Sequence, residues 1–68
     1  MDWEITDSEP SYISILPTAD DKFIVARMEY SAVADSYAVV ETSHKFPTRL
    51  TALAAAIEWA ERDNLEVR

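Results

Sequence analysis

The chain has 68 residues with no cysteine and no glycine, and thirteen Asp and Glu stand against six Lys and Arg, for a formal net charge of −7. This composition excludes disulfides and cysteine-held zinc and glycine-rich loops that cradle phosphate, and it opposes direct binding to a nucleic-acid backbone. With about half of its residues hydrophobic, the chain reads as one domain over residues 1–68, near the lower size limit for a packed core.

In chain order, Trp3-Glu4-Ile5-Thr6 alternates and reads as a short first strand or a lead-in. Asp7-Ser8-Glu9-Pro10-Ser11 is turn chemistry. Residues 12–16 predict a strand that Pro17 stops, and residues 17–21 a connector. Residues 22–30 predict the strongest strand, with β-branched and aromatic residues in alternation. A small polar loop around Asp35 follows, and then a strand over 37–45. With no glycine, the turns fall to Pro, Asp, Ser and Asn, and longer loops are expected.

The spacing predicts a helix over 49–63. Thr48 is a good N-cap, the stretch holds good helix formers, and Asn64 suits a left-handed C-terminal cap. At 100° per residue, Trp59, Ala52, Ala56, Ala60, Leu53, Ile57 and Leu50 occupy one half of the circumference. Alanine lies at the centre of that half, with Trp59 and Leu50 at its margins. Glu58, Glu61, Arg62 and Thr51 fall opposite. Residues 65–68 add a short terminal strand. The expected fold is α+β: an antiparallel sheet of three or four strands, a meander, with one C-terminal helix packed on one face.

One helix covers one face of a sheet. In residues 22–30, Ile24, Ala26, Met28 and Tyr30 share a face, and Phe23 and Val25 lie on the other. In residues 37–45, Ala38 and Val40 oppose Tyr37 and Val39. Strands apolar on both sides imply cover on both sides. The expected second face is Phe23, Val25, Tyr37 and Val39. Its cover would be the N-terminal segment with Trp3 and Ile5, a second copy of the chain, or another protein.

Catalytic chemistry is not expected. His44 is the single histidine, and its neighbour Ser43 points to the opposite face of a strand, so the pair cannot act together. Asp20 and Asp21 bend a Pro-led turn, with no third ligand at metal-binding spacing. Trp59 falls at helical spacing with Ala52 and Ala56 and reads as core. Neither a metal nor a cofactor is expected.

The acids are unevenly placed. Asp2, Glu4, Asp7, Glu9, Asp20 and Asp21 lie in residues 1–21, which contain no Lys or Arg. Such a cluster suits docking against a basic protein surface. In size, acidity and lack of catalytic groups the chain resembles the small inhibitors that phages encode against host defence, the anti-CRISPR type among them. The resemblance implies an inhibitor or nucleic-acid mimic working in the host cytoplasm. The sheet-and-helix plan also resembles small β-sheet DNA-binding domains such as the N-terminal arms of phage-type integrases, with charge of the opposite sign. The expected function is a non-catalytic acidic protein-binding module. The alternative is a structural homodimer or assembly subunit associating through the second sheet face. No apolar run approaches the roughly 20 residues of a membrane span, and the acidic start is the reverse of a secretory signal, so a cytoplasmic protein is expected.

Overall fold

The computed structural model describes residues 10–68. Strands β1 (Tyr12–Pro17), β2 (Phe23–Ser31) and β3 (Ser36–Thr42) are followed by helix α1 (Arg49–Asp63) and a two-residue strand β4 (Glu66–Val67). The sheet order is β3-β2-β1-β4. Strands β1, β2 and β3 pair as an antiparallel meander. β4 pairs parallel to β1, Tyr12 with Glu66 and Ile13 with Val67, and the Arg68 N–H donates to the Ile13 carbonyl at 2.8 Å. The sheet is therefore mixed rather than purely antiparallel. The helix carries the chain back along the sheet, so β4 runs in the direction of β3, which is also that of β1. Among the described residues no helix is long and apolar enough to cross a membrane.

The turns show how a chain without glycine reverses direction. Among the described residues three adopt left-handed backbone: Asp21 at φ 68°, Asp35 at φ 55° and Asn64 at φ 57°. Asp and Asn tolerate this region better than other residues with a Cβ. The loops are accordingly not long, with residues 18–22 joining β1 to β2 and residues 32–35 joining β2 to β3. In the first loop the Thr18 N–H donates to the Lys22 carbonyl at 2.9 Å, and the Lys22 N–H donates to the Thr18 hydroxyl at 3.1 Å. In the second, the Ala34 N–H donates to the Ser31 hydroxyl at 3.3 Å.

Pairing between β2 and β3 is irregular. Ala26 faces Thr42 and Arg27 faces Glu41, but Met28 faces Val39. Val40 is thus the extra residue of a bulge. The bulge changes the phase of alternation along β3. Glu41 lies on the same side of the sheet as Arg27, while Val39 and Tyr37 join Met28 and Tyr30 on the other.

The helix ends match their caps. The Thr48 hydroxyl accepts the Thr51 N–H at 3.2 Å, and the Asn64 N–H reaches back to the Ala60 and Glu61 carbonyls. The helix packs on β1, β2 and β4 and does not reach β3. Its contact line is Ala52, Ala56, Trp59 and Ala60, seated on Ile13 and Val25. The small alanines let the backbone approach the sheet closely. Ile15, Phe23, Phe46, Ala55, Leu65 and Val67 close the margins. The Trp59 ring is buried, and its Nε1–H donates to Asp63 Oδ2 at 2.8 Å. Leu50, expected at the packed margin, is 76% exposed instead.

Candidate surface for a partner

Two sets of residues were expected to form sites, and the structure treats them differently. Of the acidic set, Asp2, Glu4, Asp7 and Glu9 lie outside the described residues. Asp20 and Asp21 share the β1–β2 turn. Asp20 is already paired: its Oδ2 takes the Lys45 ammonium at 2.8 Å, and its Oδ1 takes the Thr18 hydroxyl. The hydrogen bond from Lys45, and then that from Thr18, hold its carboxyl down at about 2, below the usual 3.8. Asp21 supplies the left-handed residue of the turn. Within the described fold, the acidic lobe contributes a turn and one internal ion pair.

The apolar set is split, which corrects the expected second face. Val25 is 0% exposed beneath the helix, and Phe23 packs against the same core. Tyr37 and Val39 lie on the opposite side, open in the sense that no described element covers it; Trp3 and Ile5, expected as one cover for this face, lie outside the described residues. The cause is the pairing. β1 meets β2 with Ile15 against Val25 and Ile13 against Arg27, which puts the odd-numbered residues of both strands under the helix. The bulge at Val40 then sends the odd-numbered Tyr37 and Val39 the other way.

The open face is built in rows. Leu16 pairs with Ile24, and Ser14 with Ala26 and then Thr42. Tyr12 pairs with Met28 and then Val39, and Tyr30 with Tyr37. Its richest corner holds three tyrosines. Tyr37 meets Tyr12 edge-on with ring centroids 4.8 Å apart, and Tyr30 at 5.7 Å. The Tyr37 hydroxyl donates to the Pro10 carbonyl at 3.0 Å, and the Tyr30 hydroxyl donates to Asp35. The Arg68 guanidinium lies 4.7 Å from the centre of the Tyr12 ring and 3.3 Å from Glu66 Oε1. Glu66 first, and the Tyr37 hydroxyl to a lesser degree, favour its charged form and push it further above its usual range. Edge-to-face rings topped by a cation form a firm, amphipathic surface of the kind favoured in protein contacts.

Tyr12, Tyr30 and Arg68 were missed in the sequence. The even-numbered alternation of Ile24, Ala26, Met28 and Tyr30 was visible, and so was Tyr12. What linked them was the register between β1 and β2.

Nucleophilic chemistry has no geometry at Ser43 and His44. The Ser43 hydroxyl donates to the backbone carbonyl of His44 at 2.7 Å and accepts the Val25 N–H at 2.9 Å. The His44 ring rests against Phe46, 4.4 Å between centroids. Among the described residues no three His, Asp or Glu side chains gather as a metal site. Comparison with known proteins finds no matching family model, no similar curated protein and no similar solved structure.

Proposed function

We propose that this chain is a non-catalytic acidic protein-binding module that occupies a basic surface of a partner, as an inhibitor or nucleic-acid mimic would. The observation that carries this is the open sheet face, whose tyrosine corner is attached to the acid-rich end of the chain. Pro10 is tied to that corner through the Tyr37 hydroxyl. Residues 1–9, with four acids and no base, are joined to the fold at that point. Tyrosine and methionine surfaces supply contact energy in protein interfaces. Acidic residues linked to such a surface steer a basic partner into place and select for it. The formal charge of −7 adds a long-range field of the same sign.

The test is binding of the full chain to a panel of basic nucleic-acid-handling protein complexes, at about 50 mM and about 500 mM salt, on either side of the ionic strength at which the Debye length is near 10 Å. Binding is expected to weaken with salt, to be competed by DNA, and to fall in a variant with Asp2, Glu4, Asp7 and Glu9 changed to their amides. Binding that ignores salt and survives the amide variant, or no binding across the panel, refutes the proposal.

A further inference from the structure

We infer that residues 1–9, which lie outside the described fold, turn back across the open face of the sheet and cover its tyrosine corner with Trp3 and Ile5. This concerns the free chain, so it goes beyond the partner binding proposed above and does not depend on it. The described chain begins at that face. β1 starts at Tyr12, and two residues earlier the Pro10 carbonyl accepts the Tyr37 hydroxyl at 3.0 Å. Tyr37 belongs to β3, two strands away from β1 in the sheet order, and its ring meets the Tyr12 ring on the open side. The Pro10 carbonyl therefore lies at the tips of the tyrosine rings, and the upstream chain leaves from the open face. To reach the helix side it would have to pass round an edge of the sheet.

Length and residue order suit this return. Asp7, Ser8 and Pro10 are residue types that favour a reversal. The six residues before them reach about 20 Å when extended. The open face from Tyr30 to Ile24 spans six positions of β2, again about 20 Å. In an extended segment Trp3 and Ile5 share one side, and Asp2 and Glu4 the other. Laid on the face, Trp3 and Ile5 meet Met28, Val39 and the tyrosine rings, while the two carboxylates stay in water. The opposite orientation presses both carboxylates onto apolar surface, which is costly. The face has area left to cover: Val39 is 47% exposed, and Tyr12, Met28, Tyr30 and Tyr37 are half-buried.

Of the covers that the sequence allows, the chain's own segment has the advantage. It is tethered at the face through Pro10, and a short tether holds its effective concentration in the millimolar range. A second copy carries the same charge of −7 and is repelled. A partner that uses the tyrosine corner then competes with Trp3 and Ile5, and its apparent affinity falls with the fraction of chains left uncovered.

The experiment is methyl and indole NMR of the full chain at about 50 μM and about 500 μM, both below the millimolar effective concentration of a short tether. Nuclear Overhauser contacts are expected from the Trp3 indole to the Met28 and Val39 methyls, equally strong per molecule at both concentrations. In the double variant Trp3→Ala with Ile5→Ala, the Met28 and Val39 methyls shift, and the Val25 methyls, beneath the helix, do not. Dilute peroxide oxidises Met28 several-fold faster in that variant, because oxidation follows exposure. Absence of any contact between Trp3 and the open face in the parent chain overturns the inference. So do contacts that strengthen with concentration, the mark of a second copy, or equal oxidation of Met28 in parent and variant. Failure of every basic partner to bind leaves these readouts unchanged, so the two proposals fail separately.

Discussion

Truncating Val25 and Val39 to alanine, one at a time, tests which face of the sheet the helix covers. Val25 is 0% exposed and belongs to the same core as Ala52, Ala56 and Trp59. Val→Ala removes two carbons, about 0.8 kcal/mol each in transfer free energy. The cavity left under a close-packed helix raises the total to about 2–3 kcal/mol. Val39 is 47% exposed on the open face, so the same truncation leaves no closed cavity and costs under about 1 kcal/mol. For a domain of this size 1 kcal/mol moves Tm by about 4–8 °C. Val25→Ala is then expected to lower Tm by on the order of 10–20 °C, several times the effect of Val39→Ala. Thermal and urea unfolding followed by circular dichroism and by tryptophan fluorescence measure both changes, and coincident midpoints justify a two-state treatment. If Val39→Ala destabilises as much as Val25→Ala, or more, the face assignment is wrong and the description of the open surface falls with it.

Three further outcomes are expected. Thr48→Ala removes the acceptor for the Thr51 N–H and should cost about 1 kcal/mol in urea unfolding. At Asn64, held at φ 57°, glycine should stabilise by about 0.5–1 kcal/mol and alanine should destabilise by a similar amount, read from the same unfolding curves. Asp20 should titrate at about 2 in a carboxyl-resolved NMR titration, and its midpoint should rise toward 3.8 in Lys45→Met, because Lys45 is the first cause of the depression. A carboxyl lowered by folding lends its stability above the ordinary carboxylate range and loses it as pH falls through about 2. The Lys45–Asp20 pair thus weakens only in strong acid.

The helix was legible to the residue. Its limits depend on Thr48 and Asn64, whose capping chemistry is local, and the observed span Arg49–Asp63 matches the expected 49–63. The strands were legible to within a few positions. β3 stops at Thr42 rather than 45 because the Ser43 hydroxyl, and not a backbone carbonyl, takes the Val25 N–H, which interrupts the ladder until Phe46 rejoins Phe23. The faces were not legible. Alternation says which residues share a side, but which side meets the helix depends on the register between strands, and in β3 also on one extra residue at Val40. Leu50 illustrates the same gap: a helical wheel gives its direction and not where the sheet ends. The acidic cluster was plain as composition, yet the pairing of Asp20 with Lys45 spans 25 positions and leaves no local sign. The parallel β4 was likewise hidden, since its direction follows from the path of the whole chain.

The two rims of this sheet are unequal: seven residues at β3 and two at β4. A fibril needs subunits that can recruit a newcomer at both rims, so that each addition exposes a fresh landing place for the next. Here, among the described strands, the far rim is stepped: Glu66 and Val67 cover only Tyr12 and Ile13, and beyond them lies the short end of β1 that Pro17 closes, so neither piece offers a long continuous row of backbone groups. Strand addition at the far rim is weaker than at β3, and this inequality opposes open-ended growth into amyloid-like filaments.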